Sequence, residues 1–184
     1  MQDMLDNLES SISSKTVKSL NFKTVKTENI EAIIGREELL TLFLFSDESV
    51  NDYYFISVTE PFQKKSEKSL DILSQEQFQT PKKISHLLQL EFTDMRKKHL
   101  PLIEKYSDKI KLIDLVDKEK IKSFILEAKE NNKKLIINCD AGISRSSAIG
   151  VFIERMIGTK EGEESIREHY RYLPNEFILQ ELEK

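Results

Sequence analysis

LIINCDAGISRSSAIGVFIERMI, residues 135–157, carries the most specific pattern in the chain. LIIN (135–138) is a short apolar run of the kind that forms a buried strand. From Arg145 to Ile157 the chain is apolar around most of a helical circumference (Ala148, Ile149, Val151, Phe152, Ile153, Met156), as a largely buried helix is, and Gly158 closes it. Between them lies a loop of seven residues, Cys139-Asp140-Ala141-Gly142-Ile143-Ser144-Arg145. A loop that curls around a ligand at a helix N-terminus turns successive backbone N–H groups inward, and the helix dipole adds to them, which makes a nest for an anion. Gly142 permits the backbone angles of such a curl. Arg145 offers a planar fork to two phosphate oxygens. Cys139 stands at the start of the loop, where positive surroundings favour the nucleophilic thiolate, and Ser146 is placed to hydrogen-bond that sulfur. A lone cysteine after an apolar strand is ordinarily a small core residue. Here Gly at +3, Arg at +6 and Ser at +7 of the single cysteine would coincide by chance with a probability on the order of 10⁻⁴.

On either side of this segment, strands and helices alternate. VDKEKIKSFILEAKE (116–130) places Ile121, Phe124, Ile125 and Ala128 on one face and charge on the other, a helix ended by Asn131-Asn132. After the loop helix, 161–172 and 175–184 read as two further helices separated by Leu173-Pro174, with Asn175 capping the second. Upstream, HLLQLEF (86–92) reads as a strand delivering the chain to Thr93-Asp94, YYFISVT (53–59) as a strand covered on both faces, and LLTLFLF (39–45) as another. LNFKTVK (20–26) alternates like a half-buried strand. TENIEAIIG (27–35) reads as a short helix with Thr27 as N-cap and Gly35 past its end. The polar stretch 61–84, bracketed by Pro61 and Pro81, is read as an excursion. Residues 1–18, rich in serine and charge, are read as a loosely packed N-terminal segment ahead of a single domain over 19–184. The pattern predicts a three-layer α/β fold, with a mostly parallel sheet of four or five strands flanked by helices.

Composition narrows the function. At 184 residues, 39% hydrophobic and 33% charged, the chain suits one cored domain. No apolar run approaches the roughly 18–20 residues of a membrane span. One cysteine forms no intramolecular disulfide, and a reducing, cytoplasmic setting is expected (a host's cytoplasm were the chain viral). A net charge of −4 argues against a general nucleic-acid surface. His86, His99 and His169 lack metal-ligand spacing and read as packing or surface residues. The six cations between 96 and 111 (Arg96, Lys97, Lys98, Lys105, Lys109, Lys111) read as a solvated face or as a positive rim beside an anionic substrate.

Cys139 to Ser146 resembles the signature of the protein tyrosine phosphatase superfamily, His-Cys-x5-Arg-Ser/Thr, and is most similar to its dual-specificity branch and compact bacterial and viral relatives. Pro174-Asn175 followed by Phe177, Gln180 and Leu182 is similar to the close of dual-specificity domains. FTDM (92–95) is similar to the strand-end aspartate segment of small members. The resemblance spans about residues 20 to 184 and is firm from 117 onward. It implies the cysteine-phosphatase fold and two-step covalent catalysis without metal or cofactor. In that scheme Cys139 is the nucleophile, and the backbone of Asp140, Ala141, Gly142, Ile143 and Ser144 joins Arg145 in holding the phosphate. Ser146 and Asn138 support the loop, and an aspartate protonates the leaving group. Expected partners are a phosphorylated protein, and phosphate, sulfate or vanadate in the loop. The absence of lysine from the loop favours phosphoprotein over phosphoinositide.

For the acid, Asp94 is preferred, although its 45-residue separation from Cys139 is long. Asp114 is the second choice, and Asp117 reads as the cap of the 118–130 helix. Asp140 is expected to face outward. Asn138 stands where the family has a histidine that organises the loop and helps keep the thiol ionised. That departure keeps a phosphoprotein-binding pseudophosphatase in play, and the basic stretch 96–111 keeps RNA 5′ ends or lipid phosphates as substrates. A sulfur-transfer loop fits Arg145-Ser146 and the C-terminal segment poorly.

Overall fold

The computed structural model describes residue 25 and residues 27–45, 52–61 and 84–184. In order these form β1 (Ile30–Ile34), α1 (Arg36–Phe45), β2 (Tyr53–Thr59), β3 (Leu87–Glu91), a 3-10 turn (97–102), the single-turn α2 (Ile103–Tyr106), a second 3-10 turn (107–109), α3 (Leu115–Glu130), β4 (Lys134–Asn138), α4 (Arg145–Ile157), α5 (Lys160–Arg167) and α6 (Glu176–Glu183). The four strands make one parallel sheet in the order β1-β4-β2-β3.

Alternation along the strands builds two cores, because successive side chains leave a strand on opposite faces. Ile33, Tyr54, Ile56 and Ile137 point to the larger core with Ile121 and Ile125 of α3, Ile149 and Phe152 of α4, and Leu179 of α6. Ala32, Ile34, Phe55 and Ile136 point to a smaller one closed by Leu39 of α1. Helices therefore cover both faces, which is the three-layer α/β architecture expected.

The C-terminal half matches the sequence pattern closely. The structure shortens the 161–172 helix to Lys160–Arg167, leaving 168–175 as an irregular segment that lies against the Cys139 loop. The cap of α3 is also different. Asp114, extended at φ −123° and ψ 178°, accepts the Asp117 N–H at 2.8 Å, so the helix starts at Leu115. Asp117 lies inside the first turn, and its carboxylate pairs with Lys111 at 3.2 Å.

Two upstream elements are exchanged relative to expectation. Residues 30–34 are a strand, not part of a helix over 27–35. Three of these five residues are isoleucine, and β1 is buried against β4 through Ile33↔Ile137 and Ile34↔Asn138. Thr27 closes the turn before it, its hydroxyl accepting the Ile30 N–H at 3.0 Å. Residues 39–45 lie in a helix, not a strand. The leucine-rich run carries Thr41 as its one β-branched residue, and a continuous apolar run does not reveal its period. Glu37 and Glu38 sit in the first turn of α1, where the dipole favours them, and Glu38 Oε2 accepts the Gly35 N–H at 2.7 Å. Of the strand expected over 20–26 only Val25 is described. Residues 1–18 and most of 61–84 lie outside the described residues.

Candidate active site

Parallel pairing aligns the carboxyl ends of the strands. Ile34 of β1 and Ser57 of β2 both stand opposite Asn138 of β4, and Thr59 stands opposite Glu91 of β3. The segments that leave the strand ends therefore meet along one edge: the Gly35 turn, Glu60, Asp94 and the Cys139 loop. This is where parallel α/β sheets place their ligands.

The loop is held from behind by its carbonyls. Asp140 C=O accepts the Arg36 N–H at 3.0 Å, Ile143 C=O the Leu173 N–H at 3.0 Å, and Ser144 C=O the N–H of Ala148 at 3.1 Å and of Asn175 at 3.3 Å. The Ser147 hydroxyl donates to the carbonyls of both Ile143 and Ser144. Gly142 takes φ +69°, and a Cβ there would lie 2.4 Å from Gly35 N and Ile34 C, so conformation and space both require glycine. Among the described residues, no backbone or side-chain acceptor takes the N–H groups of residues 140–144. Three of its carbonyls are thus taken by flanking segments, while these N–H groups, unpartnered among the described residues, are donors of the kind that an anion accepts.

Cys139 is 3% exposed, and its Sγ lies 3.2 Å from Ser146 Oγ, as the spacing predicts. Arg145, the first residue of α4, is buried. Its Nη1 donates to Phe92 C=O at 3.1 Å and pairs with Glu60 Oε1 at 2.8 Å, while Nη2 pairs with Asp140 Oδ2 at 2.7 Å. Asp140 therefore does not face away from the loop as expected; its carboxylate folds back onto the Arg145 guanidinium, which offsets its charge. Arg145 Nε is buried and, among the described residues, has no hydrogen-bond partner, an uncommon state for a buried donor.

Asp94 reaches the loop from β3. Its Oδ1 accepts the Ser144 hydroxyl at 2.8 Å and the Asn175 amide at 2.6 Å. Asp114 is committed to capping α3, and Asp117 to Lys111. Asn138 is buried at the end of β4 behind the cysteine. Sequence reasoning missed Glu60. Burial raises its carboxyl above the ordinary range, Arg145 pulls the other way, and the nearby Asp140 and Asp94 charges add to the rise. Its signal was a charged residue directly after a buried strand, on the edge that carries the loop.

Fold and loop together define an α/β protein with a cysteine-headed oxyanion nest at the carboxyl edge of a parallel sheet. No protein-family model and no curated protein matches the sequence. Among solved structures the chain is similar to Tk-PTP in its active form, at 15% identity over 81% of this chain and 83% of that one, with a TM-score of 0.43. It is also similar to PTPMT1 in complex with PI(5)P, at 13% identity over 82% and 85% of the two chains, with a TM-score of 0.44.

Proposed function

We propose that the chain is a cysteine-dependent phosphatase acting on phosphorylated proteins, on phosphotyrosine first and on phosphoserine or phosphothreonine second. The loop carries the reading: a nest of unpartnered N–H groups with a cysteine at one end and a guanidinium at the other. The Cys139 thiolate attacks phosphorus in line, forming the S–P bond as the ester P–O bond breaks. The loop N–H groups and Arg145 stabilise the equatorial oxygens, Arg145 exchanging its carboxylate partners for the phosphoryl group. Asp94 gives its proton to the departing phenol or alcohol, then takes one from the water that attacks the phosphocysteine. The S–P bond breaks, phosphate leaves, and the Ser146 hydroxyl hydrogen-bonds the returning thiolate.

Protein substrates fit the surroundings better than polyanionic ones. Glu60, Asp94 and Asp140 gather at the loop, and a second phosphate on a lipid headgroup or an RNA 5′ end would face carboxylates. A reducing compartment, in which Cys139 stays a thiol, is part of the proposal.

The test is turnover of an aryl phosphate and a phosphotyrosine peptide by the wild type and by Cys139→Ser. Turnover by the wild type alone, with inorganic phosphate still bound by the variant, is expected. Retained activity in Cys139→Ser would overturn the covalent mechanism. Phosphate binding without turnover in either protein would make the chain a phosphoprotein-binding module, the reading Asn138 raises.

A further inference from the structure

Asn175 is 3% exposed and uses every polar atom of its side chain. Oδ1 caps α6, accepting the N–H groups of Phe177 at 3.0 Å and Ile178 at 3.3 Å. Nδ2 donates to Asp94 Oδ1 at 2.6 Å and to Met95 C=O at 2.8 Å. Its own N–H donates to the carbonyl of Ser144 in the loop. A helix N-terminus offers donors alone, so the cap fixes which way the amide points: oxygen to the helix, nitrogen to the carboxylate. Asp, Ser and Thr cap helices about as well as Asn. None of them keeps the cap while presenting two N–H donors to a carboxylate and a carbonyl on the far side. The choice of Asn over the equivalent caps is thus explained by Asp94, not by α6.

The consequence lies in the carboxyl group. Oδ1 of Asp94 takes donors from both Asn175 and Ser144. An oxygen that receives two donors is a poor place for a proton, so the acid's proton belongs on Oδ2. We propose that Asn175 is a positioning residue for proton transfer. It locks Asp94 to the nucleophile loop in the substrate-free protein, turns the proton-bearing Oδ2 toward the leaving group, and removes the need for a loop to carry the acid in. This rests on the phosphatase reading with Asp94 as acid.

The experiment compares wild type, Asn175→Ser, Ser144→Ala, Asp94→Asn and the Asn175→Ser/Asp94→Asn double variant on aryl phosphates with good and poor leaving groups. Asp94→Asn should lower kcat by about 10²–10⁴ on poor leaving groups and much less on good ones. Asn175→Ser keeps a capping oxygen and should show the same leaving-group dependence, smaller in size, with KM nearly unchanged. In the double variant its effect should vanish, because both changes act on one proton transfer. Ser144→Ala, which leaves the cap untouched, should repeat the pattern even where Asn175→Ser folds poorly. Equal losses for good and poor leaving groups in Asn175→Ser and Ser144→Ala, or additive losses in the double variant, would overturn the proposal. Leaving-group independence in Asp94→Asn would instead remove Asp94 as the acid, and with it the positioning role.

Discussion

Two arginines ten positions apart on α4 contrast an open set of ion pairs with a closed one. Arg155, in the last turn, binds Glu163 through Nε at 2.9 Å and Nη2 at 2.6 Å and reaches Glu183 through Nη1. Glu163 also takes Arg167 at 2.8 Å, and Arg167 continues to Glu176 at 2.6 Å, so one network ties α4, α5 and α6 together. Arg145, in the first turn, is more deeply buried, yet among the described residues its Nε has no partner, and its carboxylates come from Glu60 and Asp140 at the mouth of the loop. The closed network has little to gain from a ligand. The open one has a spare donor and two partners that a phosphoryl group can replace.

Exchanging each arginine for lysine puts this contrast under the greatest strain. Arg145→Lys loses the fork and should lower kcat on an aryl phosphate by about 10²–10³, the usual loss for a transition-state oxyanion donor. Arg155→Lys should leave kcat within about twofold and lower the melting temperature by a few degrees. Equal activity losses would mean that Arg145 acts through the fold.

Glu60 refines the contrast on the open side. Its carboxyl is raised by burial, so it takes up a proton above the ordinary carboxylate range, and once neutral it no longer competes for Arg145. Anion affinity should therefore rise as pH falls through that range. Inorganic sulfate, whose charge is constant there, should bind several-fold tighter to Glu60→Gln at neutral pH, with a flatter pH dependence by calorimetry.

The smallest effects are on stability, and two glutamates give opposite signs. Glu163 is held down to about 2, chiefly by Arg155, so its stabilisation is fully present above the ordinary glutamate range and is lost as pH falls toward about 2. Glu163→Gln should melt about 2–4 °C below wild type at pH 7 and level with it near pH 2. Glu154 is buried on α4, and burial raises its carboxyl against the opposing hydrogen bonds of Thr159 and Asn29. Its contribution worsens as pH rises from the ordinary range, so Glu154→Gln should melt above wild type at neutral pH and converge with it in acid.

The local parts of the site were legible in the sequence. Cys139, Gly142, Arg145 and Ser146 fall within eight residues, so their spacing alone pointed to a tight loop between β4 and α4 with the cysteine beside Ser146, which is the geometry found. Asn175 was readable as a cap, but its second hydrogen-bonding side was not, because Asp94 meets it across 81 residues. Glu60 reaches Arg145 only through the register of β2 against β4, which no local pattern encodes. The exchange of strand and helix over 27–45 has a related cause. Leu39 and its neighbours form an apolar run broken only by Thr41, and the partners that decide the conformation, β4 for Ile30–Ile34 and the smaller core for Leu39, lie elsewhere in the chain.

The proposed chemistry turns on Cys139 carrying the phosphoryl group between two transfers. The decisive measurement is to denature the protein in the middle of turnover on a slow aryl phosphate, digest it, and locate bound phosphate by mass spectrometry. A phosphorylated thiol is predicted on the peptide containing Cys139, accumulating further in Asp94→Asn, where breakdown of the intermediate is slowed. Turnover with Cys139 never phosphorylated, or with the phosphoryl group on another residue, would contradict covalent catalysis by this loop.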